Sequence, residues 1–218
     1  MSPHRCPFDE GASVIAASPD ELALIPALYT QCFRLRQHDR EAALATASVV
    51  EIVAEALHET EPGGVLTGWL GKRPFGFVLA CARTRRLIRN LLNPRRYLRL
   101  ARAICAGACE SCAIPGGLAI PNLVAHTRCL SYSLLHCDSR VLYLGVLPGA
   151  RHRNLHLALC DAAASHIRAT GGTEVACEVR GRARARVAEQ AGFLRRQEFG
   201  AGENRYIVLT RSVDWCPG

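Results

Sequence analysis

Leu144-Gly145-Val146-Leu147-Pro148-Gly149-Ala150-Arg151-His152-Arg153-Asn154-Leu155-His156 is the stretch that decides the fold. An apolar run from Val141 reads as a strand and stops at Pro148-Gly149, because proline cannot donate to a sheet ladder and glycine is a breaker. Leu155, Leu159, Ala162 and Ile167 then recur at helical spacing, so a helix is expected from about 153 to 169, closed by Gly171-Gly172. The first-turn N–H groups of a helix have no partner within it, and its dipole leaves partial positive charge there. A strand feeding such a helix start through a short turn is a place for phosphate. Arg151 and Arg153 add full charges beside it. An ordinary strand-to-helix crossover has the same local pattern.

Working outward, Val175, Cys177 and Val179 alternate as a strand. A short helix is expected over 182–191, a turn at Gly192-Phe193, and a closing strand pair over 194–199 and 206–210. Upstream, Val14 to Ala17 is a short apolar run before Ser18-Pro19-Asp20-Glu21, a capping box with proline at the first helical position. The helix that follows runs through Leu24, Ile25, Leu28, Cys32 and Phe33, with a kink expected at Pro26. Asp39 to Glu59 reads as a second helix, and Val65 to Ala82 as a hairpin turning at 71–74. Residues 113–137 carry the breakers Pro115-Gly116-Gly117 and Pro121 and give no clear period.

In their order these elements resemble the GNAT acyltransferase superfamily, whose members move acyl groups from acyl-coenzyme A to amines. Val146, Pro148, Arg151, Asn154 and His156 occupy the places of its signature: a strand ending in Val-x-Pro, then Arg or Gln, two residues, Gly, one residue, and Gly or Ala. The resemblance covers most of 12–211 except about 83–138. It implies one GNAT-like α/β domain over 1–218, a mixed and mostly antiparallel sheet flanked by helices. Residues 83–138 are then a basic helical insertion, and 1–12 are expected as a flexible tail.

It also implies a donor site for acetyl-coenzyme A or another acyl-coenzyme A. Leu144, Gly145 and Val146 would pair with the pantetheine arm, and Arg151, His152, Arg153, Asn154, Leu155 and His156 would hold the pyrophosphate. Two of those places depart from the family, Asn154 for its first glycine and His156 for its second small residue. Ala188 stands where many members carry the tyrosine that protonates the departing thiolate, and no acid lies on the strand through 141–146. Glu178, Tyr143, Asp138 and His136 remain as candidates for proton transfer. Glu178 alternates away from Val175 and Cys177, toward either a cleft or solvent; Tyr143 reads equally as a core aromatic.

The 218 residues are 49% hydrophobic and 21% charged, enough apolar matter for a globular core, so disorder is excluded. No run reaches the roughly 18 consecutive apolar residues of a membrane span. Without a signal-peptide pattern near the start, a cytoplasmic protein is expected. The net charge of +8 comes wholly from eight arginines between 83 and 102, a segment with no acid; elsewhere basic and acidic residues balance at 19 each. Tyr97, Leu98, Ala101, Ile104, Cys105 and Ala108 share one helical stripe there, with Arg95, Arg99 and Arg102 off it. Such a block is open to three readings: a solvated face, a dock for an acidic acyl carrier protein or an anionic membrane surface, or nucleic acid. Nucleic acid is not expected, because aromatics beyond Tyr97 and a known binding motif are lacking.

Eleven cysteines are an odd number without disulfide-scaffold spacing. Most read as small buried hydrophobes. Cys105, Cys109 and Cys112 have iron–sulfur triplet spacing, but on an amphipathic helix. Cys109, Cys112, His126 and Cys129 have zinc-ligand spacing; buried free thiols are the reading preferred, so no metal is expected. The function read from the sequence is N-acyl transfer from acyl-coenzyme A or an acyl carrier to an amine acceptor, by a monomer or a homodimer. The alternative is a catalytically silent or zinc-stabilised binding module on the same fold.

Overall fold

The computed structural model describes residues 4–5, 11–33, 40–111, 119–202 and 205–215. Its sheet has eight strands in the order β1-β2-β3-β4-β5-β6-β8-β7. The strands are β1 (His4–Arg5), β2 (Ala12–Ala16), β3 (Val65–Leu70), β4 (Arg73–Cys81), β5 (Arg140–Val146), β6 (Glu174–Arg180), β7 (Leu194–Phe199) and β8 (Tyr206–Ser212). The helices are α1 (Leu24–Cys32), α2 (Arg40–Thr60), α3 (Thr84–Leu91), α4 (Pro94–Ser111), α5 (Ala119–His136), α6 (Leu155–Ala169) and α7 (Arg182–Gln190). Every neighbouring pair is antiparallel except β5 and β6. The mixed, mostly antiparallel α/β class expected from the sequence is the one observed.

Two apolar clusters pack the sheet from opposite faces. On one, Leu155, Leu159 and Ile167 of α6 meet Val78, Ala80, Val175 and Leu209. On the other, Ile25 and Leu28 of α1 and Val50, Val53 and Leu57 of α2 meet Val65, Phe77 and Leu79. The strand β4 serves both, which is why its residues 75–81 are buried without interruption.

Local chemistry accounts for the boundaries. Ser18 and Glu21 exchange the two bonds of a capping box, Ser18 N–H to Glu21 Oε2 at 2.7 Å and Glu21 N–H to Ser18 Oγ at 3.4 Å. The chain then makes one 3-10 turn over Asp20–Ala23 before α1. The kink expected at Pro26 is absent: Pro26 lies in the first turn of α1, where a missing N–H breaks no intrahelical bond. Pro121 sits likewise in the first turn of α5, so the segment that shows no period in the sequence is one helix from Ala119 to His136. His4 and Arg5 pair with Val14 and Ser13, adding a two-residue strand within the stretch expected as a tail.

Among the described residues, the stretch expected as an insertion holds three helices, α3, α4 and α5. α4 packs on α2 and α3, while α5 packs on β6, β7 and β8. At the far side of the sheet β7 is exposed over most of its length and carries a bulge between Arg195 and Gln197. Its charges are paired: Arg195 with Glu189 at 2.5 Å and Glu198 at 3.1 Å, and Arg196 with Glu174 at 3.0 Å.

Candidate active site

β5 and β6 touch at only two register pairs, Arg140 with Ala176 and Val141 with Cys177. Beyond them the strands part. The cause is visible in β5: Leu79 of β4 faces Tyr143 and Ala80 faces Val141, leaving Leu142 as an extra residue. Such a bulge bends its strand and increases local twist. It also turns Leu142 and Tyr143 to the same face, where both pack beside the α1–α2 cluster.

The space between the parted strands is a cleft of about 480 Å³. Tyr29 of α1 and Phe33 just past its end, with Leu142, Tyr143 and Glu178, wall one end; Leu144, His156 and Cys160, with Ala188 and Phe193, wall the other. Because β5 pairs with β4 and β6 with β8 on their outer sides, the inner edges past the two shared pairs carry backbone groups without a strand partner. A polar, extended ligand arm laid between them satisfies those groups as an added strand does.

A buried guanidinium pins the vertex. Arg140, 1% exposed, donates from Nη1 to Glu178 Oε1 at 3.1 Å, from Nε to Thr84 Oγ1 at 3.0 Å and from Nη2 to the Cys137 carbonyl at 3.2 Å. It thus ties β5 to β6, to the start of α3 and to the end of α5. Glu178 faces the cleft and is half-buried, with its charge balanced by Arg140.

Past β5 the chain makes a 3-10 turn over Pro148–Arg153, and α6 starts at Leu155, two residues later than the sequence period suggests. Between them Asn154 takes the left-handed conformation, φ 55° and ψ 21°, the only non-glycine with positive φ among the described residues. That geometry explains the residue: asparagine visits this region more readily than other side chains, so it replaces glycine at the turn. Arg151 reaches back, donating from Nη2 to the Cys32 carbonyl at 2.5 Å and from Nε to the Val146 carbonyl at 3.4 Å. Its cation caps the C-terminal end of α1. His152 and Arg153 belong to the 3-10 turn, and their side chains lie outside the described residues.

Burial sets the protonation of the walls. It pushes the Tyr143 phenol up to about 12, helped by neighbouring Tyr29, so the hydroxyl stays a donor at neutral pH. Tyr29 is also raised by burial, against an opposing pull from Arg184. His156 is pushed down by burial, and its Nε2 is enclosed without a hydrogen-bond partner. The Cys160 thiol is held up at about 12, chiefly by burial.

The cleft therefore brings together Glu178, Tyr143, Leu144 and His156 from the sequence candidates, with Gly145 and Val146 following on the same strand. Asp138 and His136 lie outside its lining. Asp138 holds the start of α3: its carbonyl accepts from the Thr84 N–H at 3.0 Å and from the Thr84 hydroxyl, and its Oδ1 from the Arg85 N–H at 3.4 Å. His136 is exposed at the end of α5, stacked on Tyr132 with ring centroids 4.1 Å apart. Sequence reasoning missed Tyr29, Arg184 and Arg140. Tyr29 and Phe33 sit four apart on one helix face, a visible aromatic pair; Arg140 gave no signal beyond an arginine opening an apolar strand.

Of the zinc candidates, Cys112 and the side chains of Cys109 and His126 lie outside the described residues. Cys129 is buried in α5, its thiol pushed up to about 12 by burial and by the nearby Glu178. Among the described residues, no three His, Cys, Asp or Glu side chains are grouped to hold a metal.

No protein-family model matches the chain, and no curated protein matches it in sequence. Solved structures do. The crystal structure of SsHAT aligns with TM-score 0.62 and 15% identity over 94% of this chain and 100% of its own. A Desulfovibrio desulfuricans structure assigned to the GNAT acetyltransferases gives 0.54 and 13%, over 93% of this chain and 99% of that one. The Drosophila melanogaster polyamine N-acetyltransferase, which forms N-acetylagmatine, gives 0.54 and 14%, over 92% and 99%. The fold of this chain is the GNAT fold.

Proposed function

We propose that this GNAT-fold chain is an N-acyltransferase that moves an acetyl or longer acyl group from acyl-coenzyme A to an amine by direct attack. The observation carrying this reading is the parting of β5 from β6 after two register pairs, which opens a cleft through the sheet beside the start of α6. The thioester arm lies between the parted edges along Leu144 to Val146. The diphosphate rests on the N–H groups after Asn154, where the helix start favours an anion. Tyr29, Phe33, Tyr143 and Glu178 receive the amine.

In the reaction the neutral amine nitrogen bonds to the thioester carbonyl carbon, the carbon–sulfur bond breaks, and coenzyme A leaves as thiolate. Backbone N–H groups on the open edge of β5 steady the developing oxyanion. One proton passes overall from nitrogen to sulfur. Glu178, oriented by its bond to Arg140, accepts it from the ammonium. The Tyr143 hydroxyl supplies a hydrogen bond to the departing sulfur in place of the tyrosine that Ala188 replaces. An acyl carrier is the second source of the same thioester.

Calorimetry with acetyl- and long-chain acyl-coenzyme A, followed by thiol release over a panel of amines, tests the reading. Saturable binding and amine-dependent release are expected; absence of binding by every thioester sinks it. Ala188 and the Arg140-tied Glu178 favour a second reading, a catalytically silent binding module, for which donor binds but no amine releases thiol.

A further inference from the structure

α4 is mounted with its apolar stripe outward. On the side of the helix that meets α2, Arg96 bonds Glu59 and Asn90, and Arg99 grips Glu55 with both Nη atoms at 2.7 and 3.2 Å, beside the half-buried Leu100 and Ala103. The stripe that the sequence pattern suggests for a core is left to solvent, with Tyr97 53%, Leu98 56% and Ile104 53% exposed. Arg95 and Arg102 flank Leu98 at three residues before and four after, so they border this stripe on the same helix surface. On α3, Ile88 is exposed between Arg85 and Arg89. No acid occurs from 83 to 109.

We propose that the outward face of α4, with the exposed side of α3 beside it, docks the protein on an anionic lipid surface. Tyr97, Leu98 and Ile104 enter the headgroup–acyl boundary, and Arg95 and Arg102 meet the lipid phosphates. A helix with large apolar side chains on one face and arginines along its border lies in the plane of such a surface. No helix among the described residues is long and apolar enough to cross a membrane, so the helix lies on the bilayer and does not span it. Charge selects this occupant. A second copy of the chain would bring the same arginines and no acid to the contact, leaving the positive charge without a counter-charge. An acidic carrier protein must deliver its thioester to the end of the cleft walled by α6 and α7, whereas α4 rides on α2 and α3. The inference stands apart from the proposed acyl transfer, since it uses no residue of the cleft.

Co-sedimentation of the full chain with vesicles tests it, comparing phosphatidylcholine alone with phosphatidylcholine plus phosphatidylglycerol, at low and high salt. Partition is expected onto the anionic vesicles only, weakening as salt screens the arginines. Replacing Arg95→Gln and Arg102→Gln weakens it roughly fivefold per arginine. Leu98→Asp with Ile104→Asp abolishes it while leaving the melting temperature unchanged, because both side chains already face water. Absence of partition onto anionic vesicles, equal partition onto neutral ones, or full retention in the Leu98→Asp/Ile104→Asp variant each overturns the proposal. So does a dimer in light scattering that Leu98→Asp dissolves, or binding of an acidic carrier protein that the arginine replacements abolish while vesicle binding is absent.

Discussion

Arg140→Met removes the guanidinium at the vertex of the cleft and keeps a side chain of similar reach. Three hydrogen bonds are lost, to Glu178, Thr84 and the Cys137 carbonyl. Breaking a buried ion pair by deleting one partner costs about 3–5 kcal/mol, mostly because the other charge is stranded. Glu178 is 16% exposed and borders the cleft, so water reaches it and the lower figure applies, about 3 kcal/mol. For a chain of this size that is a fall in Tm of about 6–12 °C. Glu178→Leu strands the opposite charge, and Arg140 at 1% exposure has no water to recruit. Its cost is higher, about 4 kcal/mol. The double variant Arg140→Met/Glu178→Leu strands neither charge and returns to within about 1 kcal/mol of the parent, a coupling of several kcal/mol. Urea and thermal denaturation of the four proteins at neutral pH measure the cycle. A cost below about 1 kcal/mol for Arg140→Met, or simple addition in the double variant, refutes the reasoning.

Two further outcomes are expected. Asn154→Gly leaves stability nearly unchanged or slightly raised, whereas Asn154→Ala costs about 1 kcal/mol, because alanine has no compensation for the left-handed turn; equal melting temperatures for the two variants contradict this. Tyr143 has its pKa raised from 10.0 to about 12 in the folded state, so its contribution is whole below pH 10 and is lost as pH rises toward 12. Relative to Tyr143→Phe, the parent loses roughly 2–3 kcal/mol across that window, read by denaturation at each pH. A constant difference between the two proteins removes the argument.

What the sequence disclosed was local in origin. The strand, turn and helix of 141–169 are written in an apolar run, a Pro-Gly stop and a helical period, all within thirty residues of one another. The hairpin of β3 and β4 is equally legible because its turn lies at Gly71-Lys72. The side on which α4 packs was not legible, since Glu55 and Glu59 stand 44 and 37 residues from the arginines they bind. The stripe lies where the period puts it, and its large side chains Tyr97, Leu98 and Ile104 face water. Arg140 escaped for the same reason: its three acceptors come from α3, the end of α5 and β6. Asp138 and His136 drew attention as titratable groups beside a strand, but one carries the N–H groups of α3 and the other stacks on Tyr132. The opening of the cleft depends on one extra residue at Leu142, which the composition of β5 does not announce.

The two ends of the sheet bear on how the protein behaves in concentrated solution. A sheet grows from molecule to molecule when its last strand is long, flat and apolar. Among the described residues one end is two residues long, and the other is bulged, exposed and laced with paired charges on Arg195, Arg196 and Glu198. Joining two copies edge to edge would require straightening the bulge and pulling those ions apart in a medium where no new partner waits for them. Both rims are thereby poor templates for pairing with a second copy.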